Sequence, residues 1–219
     1  MLFFIIIKHN SKRINKKNFK RLGKYQLWEH LILRLKGCKV YIDTDSPVII
    51  NRCNKFFPWV KAYKREKKFI IQEYKKDTSP TLNMIKNFLN KYVKDNNQII
   101  VTTHVTSPFL KLDTIKKAVK KLKNFDSVHS VTKEYNFAWI EKNKKKLIPI
   151  NFDPKIVTKT QNLNPIVQSN GAFFIFRKKT FMKYNNRIGK KPFYYNLNFP
   201  ESVEIDNIED LNLARKLCR

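Results

Sequence analysis

The chain opens with MLFFIIIKHNSKRINKKN (residues 1–18), in which an apolar run passes directly into a basic, polar segment. Leu2 to Ile7 is continuous and partly β-branched, which predicts a strand covered on both faces in a parallel sheet. The residues from Lys8 to Gly23 predict a long loop after that strand. Ligands of open α/β sheets bind at the carboxyl ends of the strands, so this loop is the first candidate binding site.

Beyond this loop, strand and helix patterns alternate along the chain. The predicted strands are residues 2–7, 40–42, 98–103, 127–131, 171–176 and 202–205. The predicted helices are residues 26–35, 81–93, 113–123 and a last one from about 208. Asp113 is placed to cap the third helix, and Asn207 with Asp210 has the spacing of a capping box. This alternation predicts an α/β fold.

The periodicity weakens over about 135–165. Short β-like pieces at 137–140 and 147–150 lie there among Lys and Asn, which predicts an inserted β hairpin or dimerisation arm. We find no internal repeat and no long linker, so we expect one domain over residues 1–219. The opening apolar run is too short to span a bilayer, and we expect no membrane association.

The charge of the chain is strongly positive, with 46 Lys and Arg against 17 Asp and Glu and a formal net charge of +29. Such a charge ordinarily favours nucleic-acid binding. Most of the basic residues are Lys, accompanied by many Asn and Ile as in proteins of AT-rich genomes, and they are spread from Lys8 to Arg219. We therefore interpret most of them as solvated surface and do not expect a nucleic-acid partner. Anionic nucleotides and sugar acids remain open, and charge alone does not choose between them and RNA.

The three cysteines, Cys38, Cys53 and Cys218, are odd in number and lack the spacing of metal ligands. They predict neither a disulfide scaffold nor a zinc site. This use of cysteine is typical of a cytoplasmic protein.

The loop after the first strand carries the donors that a triphosphate needs. Lys8, Lys12, Arg13 and Lys17 can offset phosphate charge, and the backbone N–H groups around Asn10 could form an anion-binding nest. A basic surface loop without a ligand would have the same composition.

Two carboxylates near the end of the chain could share a divalent cation. Glu204 and Asp206 lie two apart in a predicted strand, so both side chains should point to one face. Mg²⁺ prefers such oxygen ligands. A solvated strand edge followed by a helix cap would use the same residues. Asp45, after the second strand, could reach a ribose or a metal, although a turn needs the same residue type. His104, after a core strand, could hydrogen-bond a substrate.

In order along the chain, these segments resemble the acylneuraminate cytidylyltransferase family, which includes CMP-sialic acid synthetases and the related Kdo, legionaminate and pseudaminate enzymes. The family's first loop, roughly A-R-x-G-S-K-R-I-x-x-K-N, is matched by IKHNSKRINKKN at 7–18. Five later motifs of the family are also matched. DTD at 43–45 corresponds to S-T-D, HVTSP at 104–108 to Q-P-T-S-P, and TQNLNPI at 160–166 to T-Q-D-L-P-P-I. RIGKKP at 187–192 corresponds to R-I-G-x-x-P, and EIDNIEDL at 204–211 to D-I-D-x-x-x-D-L. The strand NGAFFIF at 170–176 also fits.

The resemblance implies a doubly wound, mostly parallel (Rossmann-like) sheet of the nucleotide-diphospho-sugar transferase type that usually forms a homodimer. It also implies an enzyme that binds CTP over the first loop with Mg²⁺ (or Mn²⁺). The anomeric hydroxyl of an acidic sugar would attack the α-phosphate, giving CMP-sugar and pyrophosphate. Sialic, legionaminic and pseudaminic acids and Kdo all remain open as the sugar.

The resemblance also assigns roles to residues of this chain. Three would be catalytic: Lys8, Lys17 and Asp206. The nucleotide would be bound by Asn10, Ser11, Lys12, Arg13, Asn18, Asp45 and Thr81, the last through the cytosine base, which the segment 78–81 is expected to contact. The sugar would meet His104 and Phe173, and the metal would be held by Glu204 and Asp206.

Four positions depart from the family pattern. Lys8 and Leu110 stand where the family has Arg, Asn10 where it has Gly, and Glu204 where it has Asp. Lys keeps the charge but loses the bidentate geometry of Arg on a phosphate. A degenerate relative that binds nucleotide or RNA without catalysis is therefore the alternative hypothesis.

Overall fold

The structure is a computed structural model of the chain, and it describes residues 1–75, 79–142 and 146–218. The strands are β1 (Leu2–Ile7), β2 (Arg21–Leu22), β3 (Tyr25–Gln26), β4 (Lys39–Thr44), β5 (Val60–Lys64), β6 (Ile99–Thr103), β7 (Ser127–Glu134), β8 (Trp139–Lys142), β9 (Lys146–Pro149), β10 (Ile166–Arg177) and β11 (Pro192–Asn196). The helices are α1 (Leu27–Arg34), α2 (Pro47–Phe56), α3 (Lys67–Lys75), α4 (Thr81–Tyr92), α5 (Leu112–Val119), α6 (Lys178–Tyr184) and α7 (Ile208–Leu217).

A seven-stranded sheet in the order β11-β7-β10-β6-β1-β4-β5 forms the centre of the molecule. Strands β4 and β6 flank β1 in parallel, β5 is parallel to β4, and β11 is parallel to β7. Strand β10 is antiparallel to both of its neighbours. The chain leaves β1 towards β4 and later returns to its other side as β6. Such a reversal opens a crevice at the carboxyl ends of the strands, and the predicted doubly wound, mostly parallel sheet is confirmed.

The two faces of the sheet are covered by different helices. Phe3 and Ile5 of β1 belong to a buried cluster formed with α1, α2 and α5. Leu2 and Phe4 point to the opposite face and pack with α4 and α6. This explains the continuous apolar run of β1, since both of its faces are buried. A third cluster joins α7 to the β2–β3 hairpin and to Ile14 of the first loop.

Several local predictions need correction. The helix predicted from Asp113 begins at Leu112 with Lys111 as its N-cap, and it tightens into a 3-10 turn at Lys120–Lys123. Residues 202–205 do not form a strand. They are fixed by a hydrogen bond from the Ile205 N–H to the Thr106 carbonyl (2.8 Å). The capping box of Asn207 and Asp210 at α7 is confirmed.

The segment 135–165 contains a separate hairpin, in which β8 and β9 pair antiparallel with each other. Its base is fastened by the Asn151 side chain, which bonds the Ala138 N–H and the carbonyls of Asn136 and Asn164. Among its exposed apolar side chains are Trp139, Ile140, Leu147, Ile150, Ile156 and Val157. We call this segment the arm. The inserted hairpin was predicted from the sequence; its role in dimerisation remains a prediction.

Candidate active site

A cleft of about 460 Å³ lies at the carboxyl ends of β1 and β6. Its walls are the first loop, the start of α4, the residues after β6, and the chain before α7. Of the residues predicted to form the site, the cleft is lined by Lys8, Asn10, Ser11, Lys12, Arg13, Lys17, Asn18, Thr81, His104, Glu204 and Asp206. Segments far apart in sequence thus meet where the topology places a ligand.

The first loop is held in shape by its own side chains and by β4. The Asn18 amide donates to the Lys8 carbonyl (2.8 Å), which closes the loop. The His9 N–H donates to Asp45 Oδ1 (2.7 Å). The positive-φ residues in the described part of the chain other than glycine are Lys16 and Asn185, so Asn10 needs no left-handed conformation in place of the family's glycine. Asp45 is not among the residues lining the described cleft, and this contact gives it the role of supporting the loop.

Two basic side chains of the first loop, Arg13 and Lys17, form ion pairs with Asp206, which precedes α7. Lys17 Nζ donates to the Ile205 carbonyl (2.7 Å) and to Asp206 Oδ1 (3.2 Å). Arg13 forms a salt bridge of 2.7 Å with the same Asp206 oxygen. Because Lys17 is buried, this pairing fixes the Asp206 carboxylate at the mouth of the loop.

Glu204 lies in the same cleft, on the other side of the buried Ile205. It accepts a hydrogen bond from Thr106 Oγ1 (3.3 Å), and its Oε1 is 3.8 Å from His104 Nδ1. Both carboxylates line the cleft, although the strand that was expected to place them on one face does not form.

An ion network behind Lys8 was missed by the sequence analysis. Lys8 Nζ is 2.9 Å from Glu73, whose other carboxylate oxygen is 2.9 Å from Arg65. Arg65 is fully buried and also donates to Asp43 Oδ1 (2.7 Å) and to the Ile7 carbonyl (3.1 Å). Burial raises the pKa of Asp43, and the Arg65 guanidinium acts in the opposite direction. The network anchors the end of β1 and supplies Lys8 with a counter-ion. Strand β5 before Arg65 was not predicted, so no sequence signal pointed to this pairing.

Two further predicted contacts have different outcomes. Thr81 begins α4 at the cleft, and its hydroxyl is 2.7 Å from the Ser79 hydroxyl; Thr78, in the segment expected near the base, lies outside the described residues. Phe173 is fully buried in the cluster beneath α1, α2 and α5. Phe173 is not among the residues that line the described cleft, and its expected contact with the sugar stays a prediction. Its neighbour Phe174 faces the other side of the sheet.

Arg187, the first residue of the RIGKKP segment, also lines the cleft, and its role there was not predicted from the sequence. Its guanidinium carbon is 3.7 Å from the centroid of the Phe174 ring. Burial lowers the pKa of Arg187 to about 10. It remains a cation at neutral pH on the β10 side of the cleft.

The fold and the cleft define an α/β protein in which a basic loop after β1 faces two carboxylates at the carboxyl ends of the strands. The family model described as cytidylyltransferase matches residues 3–219, and the chain belongs to that family. In the described parts of the chain, we find no helix long and apolar enough to cross a membrane.

Among its relatives, N-acylneuraminate cytidylyltransferase A of Danio rerio is 28% identical over 212 residues, which cover 92% of this chain and 47% of that protein. N-acylneuraminate cytidylyltransferase of Streptococcus agalactiae serotype V is 26% identical over 146 residues, covering 63% of this chain and 34% of that protein. The chain thus spans half or less of the length of these curated relatives. A solved structure of CMP:2-keto-3-deoxy-manno-octonic acid synthetase complexed with CTP has the same fold, with a TM-score of 0.65, 12% identity, and coverage of 99% of this chain and 97% of that one.

Proposed function

We propose that this protein is a CTP-dependent cytidylyltransferase that activates an acidic sugar, giving a CMP-sugar and pyrophosphate. The observation that carries the proposal is the meeting, in one cleft, of the basic first loop with Glu204 and Asp206. Membership of the cytidylyltransferase family and the names of the relatives support the same chemistry. The synthetase that shares the fold was solved in complex with CTP, which supports the choice of nucleotide.

The triphosphate would bind over the first loop, between Lys12, Arg13 and Lys17. Arg13 and Lys17 both pair with Asp206, so phosphate oxygens of CTP would replace part of that pairing. Charge-assisted hydrogen bonds from fixed cations stabilise the charge that develops as the bond to pyrophosphate breaks. The base would lie at the start of α4, where Ser79 and Thr81 line the cleft.

The carboxylates of Glu204 and Asp206 fit a magnesium ion that is bound partly by the protein and partly by the substrate. No group of three or more His, Cys, Asp or Glu side chains in the described ranges could hold a metal by itself. Mg²⁺ on phosphate substrates is commonly bound by only one or two carboxylates, with phosphate oxygens and water completing the shell. Glu204 and Asp206 would hold Mg²⁺ (or Mn²⁺), which would supply charge neutralisation at the phosphates.

The proposal has two further parts: the protein would form a homodimer, and it would be located in the cytoplasm. The apolar arm supports the first part of this proposal, because exposed apolar side chains concentrated in one segment are typical of an interface. The three cysteines support the second part, since none forms a disulfide with another described cysteine.

The test is pyrophosphate release from purified protein with CTP, Mg²⁺ and a panel of nonulosonic and octulosonic acids. We expect release with at least one acid and a loss of roughly 10²–10³-fold in Asp206→Asn, the size of effect found when one preorganised electrostatic group is removed from an active site. Asp113→Asn is the matched control, because Asp113 is exposed and pairs only with Lys116 among the described residues. RNA binding that weakens steeply with salt, without any CTP-dependent release, would instead support the non-catalytic alternative.

A further inference from the structure

Arg187 is held in a geometry that suits recognition of a planar anion. It lies in the loop between α6 and β11, and its guanidinium stacks on Phe174 at 3.7 Å. Phe174 is only 5% exposed, so the ring under the guanidinium is fixed by the core. Stacking occupies the flat face of a guanidinium and leaves its N–H edge free for a bidentate acceptor such as a carboxylate.

The charge of Arg187 has no acidic partner in the described parts of the chain. Its neighbours in the cleft differ: Lys8 pairs with Glu73, and Arg13 and Lys17 pair with Asp206. A largely buried cation without a counter-ion is costly, and an anionic ligand would offset that cost.

A second unpaired group lies in the same part of the cleft. Thr102 of β6 lines the cleft and is only 5% exposed, yet its hydroxyl oxygen has no hydrogen-bond partner among the described residues. Thr102 lies directly opposite Phe174 in the pairing of β6 with β10. Buried hydroxyls are normally hydrogen-bonded, so the Thr102 hydroxyl is a group that a ligand beside the Arg187 stack could satisfy.

The position of these groups separates them from the triphosphate. The strand order β1-β6-β10 puts Phe174 two strands from β1, or about 10 Å away at the usual strand spacing. Arg187 and Thr102 therefore lie on the β10 side of the cleft, which we assign to the acceptor.

We propose that Arg187, stacked on Phe174, binds the carboxylate of the acceptor, and that the Thr102 hydroxyl donates a hydrogen bond to the same acceptor molecule. This inference rests on the proposed function, because it assigns the acidic group of the sugar to one end of the same cleft. It makes Arg187 the residue that selects free acids over neutral sugars and esters.

The first test is kinetic and uses the full chain with CTP, Mg²⁺ and the best acid of the panel. We expect Arg187→Met to raise the KM for the acid about 100-fold, since a charge-assisted bidentate contact is lost, and to leave the KM for CTP unchanged. Arg187→Lys should fall between wild type and Arg187→Met. Thr102→Val, which keeps the side-chain shape, should raise the acid's KM about tenfold. Arg215→Met is the matched control, because Arg215 is exposed outside the cleft.

Selectivity gives a readout that a merely structural role would not change. Wild type should prefer the free acid over its methyl ester, and Arg187→Met should lose most of that preference. An unchanged KM for the acid together with an unchanged acid-to-ester ratio in Arg187→Met would overturn the assignment.

Binding without turnover separates this inference from the proposed function. N-acetylneuraminate and Kdo are titrated calorimetrically into wild type and Arg187→Met with CTP and a chelator. Binding that requires Arg187 supports the subsite even if no pyrophosphate is ever released, in which case only the proposed reaction fails. Failure of wild type to bind either acid or to turn over any acid of the panel would overturn both.

Discussion

Arg65 shows how one residue can organise a site that it does not enter. Its fully buried guanidinium reaches Asp43, Glu73 and the carbonyl at the end of β1. Lys8 follows that carbonyl directly and is itself paired with Glu73. The position of the first loop thus depends on a charge network on its far side.

Arg65→Met should therefore destabilise the protein. Two carboxylates would lose their buried partner, and breaking such a pair costs about 3–5 kcal/mol. Urea denaturation measures the free energy of unfolding, with Arg215→Met as the exposed control. A midpoint equal to that of wild type would show that the network is not coupled to folding.

The buried imidazole of His129 should make the free energy of unfolding depend on pH. Burial, and secondarily the Arg187 charge, lower the pKa of His129 from 6.5 to about 4. As pH falls below 6.5, the unfolded chain binds a proton that the folded protein does not accept until about pH 4. The free energy of unfolding should therefore decrease over this window, on the order of 2 kcal/mol. His30, whose pKa is also lowered by burial, acts in the same direction.

The measurement is the urea midpoint at several pH values between roughly 7.5 and 4.5, which spans most of the window between the two pKa values. His129→Phe keeps an aromatic ring against Phe174 but removes the imidazole that takes up the proton. The free energy of unfolding of this variant should therefore fall less with acidification. An identical pH dependence in wild type and variant would assign the effect to other groups.

At the level of secondary-structure elements, the irregularity of β10 shapes the part of the cleft beside His104 and Glu204. The pairing of β10 with β7 shifts register between Ser169 and Phe174. Gly171, in this interval, has φ of +65°, and a Cβ there would lie 3.3 Å from His104 Nδ1 and 3.7 Å from Glu204 Oε1. At this register shift the backbone of Gly171, which has no side chain, lies close to the side chains of His104 and Glu204.

Gly171→Ala should lower both stability and activity. A non-glycine residue at positive φ costs about 1–2 kcal/mol, and the added methyl crowds His104. Gly37→Ala is a matched control, since Gly37 has φ of +80° but an added methyl group there would meet no described atom within 4 Å. Urea denaturation should show similar losses for both, whereas only Gly171→Ala should reduce kcat/KM in the pyrophosphate assay. Equal activity of the two variants would contradict the crowding argument.

Across the molecule as a whole, the arm stands apart from the main sheet. Among the described residues, β8 and β9 pair only with each other, and apolar side chains of the arm such as Trp139, Ile140 and Leu147 are left exposed. A two-stranded hairpin alone is marginally stable in water, so we expect a second copy of the chain to cover it.

Ile140→Asp should weaken self-association by about 100-fold, because a charge in the apolar centre of an interface removes a hot spot. Val48→Asp is the matched control: Val48 lies on α2 and is 51% exposed, as is Ile140. Sedimentation velocity over a range of concentrations distinguishes the variants. A wild-type protein that stays monomeric throughout, or equal effects of both substitutions, would exclude the arm as the dimer interface.

Features encoded within a short window could be predicted from the sequence. They include the two-sided apolar run of β1, the basic loop after it, the capping box of α7 and the alternating α/β order. The candidate site residues followed from the order of strand ends and from the family resemblance, and most of them do line one cleft.

Which side chains meet across the fold was decided by long-range packing. The pairing of Arg65 with Glu73, the antiparallel direction of β10, and the faces to which Phe173 and Phe174 point depend on contacts between distant segments. A strand pattern does not say which face is covered by which helix when both are apolar, and a buried ion pair leaves no periodic signal. The packing of the whole chain therefore decides which face of each strand each helix covers and which charged side chains pair.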